Sequence, residues 1–407
     1  MPKSARDQGK QKDASGVVYK IPETKHSGVN ASGTKTVLVS ALLEVTGQVR
    51  FGDGTDIATT ITEKDTVLTP DGRGVEKAIW AGTKRRGVDR RTIHEIRDRS
   101  GWDRKCFIPE LCGMCPTCWL FGFTGTTQEK GSEVKGINAK SRVLYATAVS
   151  IEDTSKCLNR HSRNQVDERA QTTAGSAGIH EEEVIVAGTH FPVYTSLLHV
   201  LDWEIGLVAH ALLENLNSNR YTAASRGQGG IKLAERDGEP AIVVDESSCG
   251  VFPLPAPKVA GCETEYAKAL PLFAPARKSA VSLLPFQELL QRQGFAVESG
   301  DGRLIARATN VEIAIESNDS YLLVHQANDE LMRRYYGNQA LGYLRQKQVE
   351  SFKKLTSLKS DEFRKEAIAY ARAIGSKEGT SDQAAPANDP SEPRPEQPVP
   401  ETDGEKS

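Results

Sequence analysis

No stretch of this 407-residue chain approaches the ~20 consecutive apolar residues that a membrane span needs. Nor does the polar, charged segment 1–16 hold the apolar core of a signal peptide. A disulfide framework is missing too: the cysteines number seven, an odd count, and four of them crowd into residues 106–118. The expectation is a cytoplasmic protein. Bulk charge is also lacking, since the formal net charge is −2, so the chain as a whole is no polycation. What is present is enough apolar material for a core, 38% hydrophobic residues, which excludes wholesale disorder.

The small net charge hides a segregation along the chain. Residues 376–407 hold eight acids against Lys377, Arg394 and Lys406, together with six prolines and no aromatic residue. Such a segment cannot bury enough apolar surface to offset its ordering entropy, and it reads as a disordered acidic tail. Residues 1–34 read as a flexible basic N-terminal segment. Between Thr83 and Lys105 nine Lys and Arg residues face four acids, a local excess of +5. Such a field recruits a polyanion even when the whole chain is near neutral, although a solvated helix face with compensating acids would look the same.

Periodicity supplies the coarse structure. Residues 35–51 read as a long strand ending in the Gly52-Asp53-Gly54 turn, and 88–99 has helical character. Strands are expected over 141–151, 183–188, 191–195 and 303–315. Ile205, Val208, Leu212 and Leu216 predict an amphipathic helix over 201–217, and 331–375 reads as mostly helical. Residues 164–180 are polar and Gly/Ala-rich between two strands, which suggests a long hairpin excursion. The mixed order of elements predicts an α+β fold, with a core at 35–235 and further material at 236–375.

Cys106, Cys112, Cys115 and Cys118 are spaced C-x5-C-x2-C-x2-C. Two-residue spacings let thiolates converge on one cation, and four thiolates match the closed shell of structural zinc. A redox C-x2-C pair and plain buried cysteines remain open at this stage, with His94 and His161 as substitute ligands. Arg220 to Gly227 follows the 201–217 helix, with Tyr221 available for stacking and arginines as forked donors, though a Gly-rich turn after a helix is also an ordinary cap. Lys140-Ser141-Arg142 opens a strand behind another Gly-rich loop.

In order and spacing these motifs resemble the RAMP superfamily of CRISPR proteins, and within it the Cas-seven backbone subunits of type I-D effector complexes (Csc-two-like). CPTCWLFG (115–122) followed by KSRVLYATAVSIED (140–153) is similar to the family's Phe-Gly loop and Ser-Arg strand. NQVDERAQTTAGSAG (164–178) is similar to its thumb, expected over 154–182, and RYTAASRGQGGI (220–231) to its Arg-Tyr-Gly-Ala element, with Thr222 where glycine is usual.

The resemblance implies a ferredoxin-like core of the RNA-recognition type, with large insertions forming a thumb hairpin and a zinc-stabilised lobe. It implies binding to CRISPR RNA, through which target DNA (or RNA) is paired, and contacts with copies of itself and other effector subunits. The RNA-contacting residues it implies are Lys84, Arg85, Arg86, Arg90, Arg91, Lys140, Ser141, Arg142, Asn164, Arg169, Arg220, Tyr221, Ser225 and Arg226. Related type III subunits cleave target RNA with an acid after the first strand. Asp53, Asp56 and Asp65 are the weak candidates here, against plain turn chemistry. RNA-processing relatives use a histidine base, for which His26, His190, His199 and His210 are available. The main expectation is an RNA-binding subunit without catalysis.

Overall fold

Lys35–Val45 (β1) is the spine of the fold. Its apolar run is nearly continuous rather than alternating because both faces are covered, and nine of its eleven residues are buried. The structure is a computed structural model. It describes residues 34–357 and Phe363, apart from 52–58, 103–105, 125–137, 168–171, 174–178, 226–228, 249–251, 276–282, 318–320 and a few single or paired positions.

After β1 come Lys64–Leu68 (β2), Gly74–Trp80 (β3), Gly82–Arg99 (α1), Pro116–Phe121 (α2), Val143–Tyr145 (β4) and Ala148–Asp153 (β5). Leu158–Asn164 (β6), Ile179–Ile185 (β7), His190–Val200 (β8), Asp202–Asn217 (α3), Ile231–Leu233 (β9) and Ile242–Ser247 (β10) follow. The last third holds Tyr266–Phe273 (α4), Leu284–Arg292 (α5), Ala296–Gly300 (β11), Arg303–Ala308 (β12) and Val311–Ser317 (β13). Tyr321–Gln326 (β14), Asp329–Tyr336 (β15) and Gly337–Ser357 (α6) complete it.

The main sheet runs β11-β12-β13-β14-β15-β10-β1-β8-β4, with β9 pairing the end of β1. Its neighbours are antiparallel, for example Val39 opposite Thr195 on β8 and Val244 on β10. Helices α1, α3 and α6 share one core with Val37, Val39 and Ala41 of β1, while Leu42 packs on the other face with Phe273 of α4. A separate cluster lies under the meander β11–β15, closed by Phe286 and Leu290 of α5. The class is α+β, as expected. No helix among the described residues is long and apolar enough to cross a membrane.

Several boundaries differ from those expected. β1 stops at Val45, not at residue 51: Thr46 turns to the Gly230 carbonyl, and Val49 exchanges hydrogen bonds with Ile185. The strand expected at 141–151 is two strands, β4 on the main sheet and β5 on a small sheet with β2 and β3. Residues 331–336 are strand, since Met332 and Arg334 alternate inward; the helix begins only at Gly337. The strand material expected at 303–315 forms the hairpin β12–β13. Helix α1 starts six residues before its apolar pattern does, because its first turns bury Arg85 and Asp89 rather than aliphatic side chains. On either side of the excursion expected at 164–180, β6 and β7 pair antiparallel, with Thr59–Thr60 added parallel to β7.

Candidate functional site

Helix α1 carries basic residues on every side, and burial sorts them. Arg85 and Arg90 are buried, Lys84 and Arg86 half-buried, Arg91 and Arg99 exposed. At the centre of the helix the Asp89 carboxylate, almost fully buried, accepts hydrogen bonds from Tyr221 Oη (2.5 Å), Tyr145 Oη (2.7 Å) and Asn215 Nδ2 (2.7 Å). Burial pushes the Asp89 carboxyl up, against these donors and the charge of Arg85. Arg85 sits over the rings of Trp80 and Tyr145 and donates to the Ala146 carbonyl, so it is held inside the fold rather than offered to solvent. Arg86 likewise donates to the Phe121 carbonyl, Lys84 Nζ reaches the Phe51 carbonyl at 3.2 Å, and Arg220 pairs with Glu95 at 2.7 Å. Tyr221 meets Trp80 edge-on, which makes it a core ring rather than an open stacking platform.

The Lys140-Ser141-Arg142 strand start is divided in the same way. Arg142 forms a two-pronged pair with Glu204 (2.9 and 2.5 Å) and also donates to the carbonyls of Trp119 and His199, both at 3.0 Å. Glu204 in turn accepts the Leu201 N–H at 3.0 Å, so one carboxylate caps α3 and holds the strand. Ser141 Oγ bonds the Val143 carbonyl at 2.8 Å, whereas Lys140 is exposed. Gly122 explains the Phe-Gly loop: its φ is +78°, and a Cβ there would lie 2.6 Å from the Ala139 carbonyl oxygen. Only glycine lets α2 run this close to the Lys140 segment.

The four cysteines converge. Their sulfurs all lie within 4.8 Å of one another, at 3.3 Å for Cys106–Cys118, 3.7 Å for Cys106–Cys115 and 3.9 Å for Cys112–Cys118. These separations are far longer than the ~2.05 Å of a disulfide. Cys115 and Cys118 bracket the first turn of α2, which starts at Pro116, and Arg97 Nη1 approaches Cys115 Sγ at 3.3 Å. The set can hold a metal ion without either histidine. His94 lies on α1 beside Arg90, and burial with the nearby Arg97 lowers its pKa to about 4, while His161 faces Gln48.

The hairpin is anchored at its base by two buried acids. Glu183 accepts from Lys64 Nζ (2.9 Å), Arg160 Nε (3.0 Å) and the Thr62 N–H (3.0 Å), and Glu182 pairs with Arg50. None of these residues stood out as a site in the sequence, where Glu183 read only as the start of the 183–188 strand. Glu152 holds His190 by both its Nδ1 and its backbone N–H (2.7 Å each), with Tyr266 stacked on the ring. His210 contacts Gln348, and His199 takes a φ of +50° just before α3. Asp65 is on β2 and accepts the Thr66 N–H. Asp53, Asp56, Arg169, Arg226 and His26 lie outside the described residues, as do the side chains of Asn164 and Ser225.

A search of curated proteins finds no match to this chain. Among solved structures, the crystal structure of Thermofilum pendens Csc2 is similar at 14% identity with a TM-score of 0.42, covering 88% of this chain and 94% of that one. A chain of a type IV-B CRISPR complex is similar at 14% identity with a TM-score of 0.35, covering 54% of this chain and 95% of that one. Likenesses this distant carry no argument by themselves. The sequence profile of the family described as Csc2 Crispr matches residues 78–234, the stretch that contains α1, the cysteine cluster, the Lys140 strand, the hairpin and the Arg220 loop. Over that stretch the resemblance carried by the motifs is borne out, and the chain is similar to the Csc2 family of CRISPR proteins.

Proposed function

We propose that this chain is a backbone subunit of a CRISPR effector complex, of the type I-D kind, that lies along the guide RNA together with copies of itself. The observation that carries the reading is the family match over 78–234, because it spans in one run every motif singled out above. In this reading the ferredoxin-like part is the sheet around β1 with α3 and α6 packed on one face. The β6–β7 hairpin is the thumb that interrupts pairing of the guide with target DNA, and other effector subunits cap the array.

Guide binding independent of base identity should rest on phosphates and sugars, while pairing reads the target. The exposed cations Arg91 and Lys140 are the contacts in this proposal, with the less exposed Lys84, Arg86 and Arg220 as secondary ones. Arg85, Arg90, Arg142 and Tyr221 then act indirectly, by fixing the elements that present those cations. For the cysteines the ion proposed is zinc. A tetrahedral shell with Zn–S bonds of ~2.3 Å has edges of about 3.8 Å, close to the sulfur separations found. Its role is to fold the loop ahead of α2, which has no core of its own.

The test is equilibrium binding of the full chain to a single-stranded RNA over a range of salt. Affinity should fall steadily with ionic strength, and little with sequence, and Arg91→Glu with Lys140→Glu should weaken it at least ~10-fold at low salt. Binding that ignores salt, or that survives both charge reversals unchanged, overturns the reading.

A further inference from the structure

The last described residue of this chain lies beside the end of the basic helix. Phe363, just past the end of α6, is 2% exposed and packs edge-on against Trp102, with ring centroids 5.4 Å apart. Trp102 directly follows α1, so the chain leaves the described structure beside the C-terminal end of the basic helix. Arg99 on α1 and Lys353 and Lys354 on the last turns of α6 are exposed. Phe352, next to Lys353, meets His210 at 4.9 Å. His210 lies on α3, which packs against both α1 and α6. Nearby acids are engaged: Asp98 with Arg97 (2.6 Å) and Glu350 with Lys347 (3.2 Å). Arg104 and Lys105 add positive charge to the sequence between Trp102 and Cys106, against Asp103.

Residues 376–407, net −5, begin thirteen positions beyond Phe363. Thirteen extended residues span at most ~45 Å, whereas α1 with its 18 residues is ~27 Å long. The whole exposed face of α1 is therefore in reach, and tethering places the acids there at an effective concentration in the millimolar range.

We propose that the acidic segment 376–407 docks on the basic surface formed by Arg99, Lys353 and Lys354 and competes there, within the same chain, with the phosphates of a bound nucleic acid. The competition rests on the RNA-binding reading above; the docking does not. Such a contact makes weak, non-specific RNA leave easily, while a long guide held by several copies displaces the acids.

Two measurements on the full chain separate docking from competition. Zero-length coupling of carboxylates to amines, without RNA and at low salt, should join peptides from 376–407 to Lys353 or Lys354. Arg99→Glu should reduce those links, and high salt should abolish them. In parallel, binding of a 40-nucleotide polyuridine should tighten about 3- to 10-fold when the chain ends at Gly375, or when the eight acids become Asn and Gln. The gain should shrink toward none near ~0.5 M salt, where the Debye length is only a few ångströms. No cross-links from the acidic segment overturns the docking. Cross-links with equal RNA affinity in both chains overturns the competition, and RNA binding by neither chain removes the RNA-binding reading while the cross-links still decide the docking.

Discussion

At Arg142 and Lys140, two neighbouring cations do different work. Arg142 is 8% exposed and fully used by Glu204, Trp119 and His199, so Arg142→Ala leaves Glu204 buried without its partner. A loss of about 3–5 kcal/mol in stability is expected, read by denaturant unfolding. Lys140→Ala should leave unfolding unchanged and lower the salt slope of RNA binding by about 0.7–1. An unstable Lys140→Ala chain, or an Arg142→Ala chain of normal stability, would reverse these assignments. At the cysteines, Cys115→Ser and Cys118→Ser should each lower bound metal below one ion per chain, and a chelator should destabilise the native chain but hardly affect either variant. Elemental analysis alongside thermal unfolding reads both, and full metal content in the variants would remove the site.

Helices α3 and α6 cross where Gly206 meets the Lys347 carbonyl, and a Cβ at that glycine would collide with the carbonyl oxygen. Backbone on both sides leaves no flexible end to yield, so Gly206→Ala should cost about 1–3 kcal/mol or more. An alanine variant as stable as the parent would mean the helices sit further apart. The hairpin β6–β7 has an electrostatic base instead. Burial alone would raise the Glu183 carboxyl, but Lys64, the Thr62 N–H and Arg160 outweigh it and hold the group below its ordinary value of 4.5. A carboxylate depressed in the folded state contributes stability that is present above its unfolded pKa and is lost as pH falls through the folded one. Amide exchange in β6 and β7 should therefore quicken as pH drops below ~4.5, after correction for intrinsic rates. Glu183→Gln should remove that acid dependence, and exchange that stays flat with acid in the native chain counts against the clamp.

For the whole molecule, the proposed array predicts mass in steps. Mixed with RNAs of increasing length, the chain should form particles that each hold one more copy per fixed increment of nucleotides, and light scattering coupled to size separation counts them. A single copy on every length would leave an RNA-binding monomer. Avidity then explains why so few exposed cations suffice per copy: contacts that are weak singly add along one tethered strand.

The sequence alone carried the α+β class, the helix expected at 201–217, the cysteine spacing, the ordered motifs of the family and the charge divided between α1 and the C-terminal segment, because each is written in local pattern or composition. Which arginine faces outward was not legible there. Arg85, Arg91, Arg142 and Lys140 look alike in the sequence, and the groups that hold two of them inside, Tyr145 and Ala146 for Arg85 and Glu204 for Arg142, lie about 60 positions away. The end of β1, the splitting of the 141–151 strand and the clamp at Glu183 were equally hidden. Each depends on hydrogen bonds to residues far away in sequence, such as Gly230, Ile185 and Lys64, which only the closed tertiary structure brings within reach.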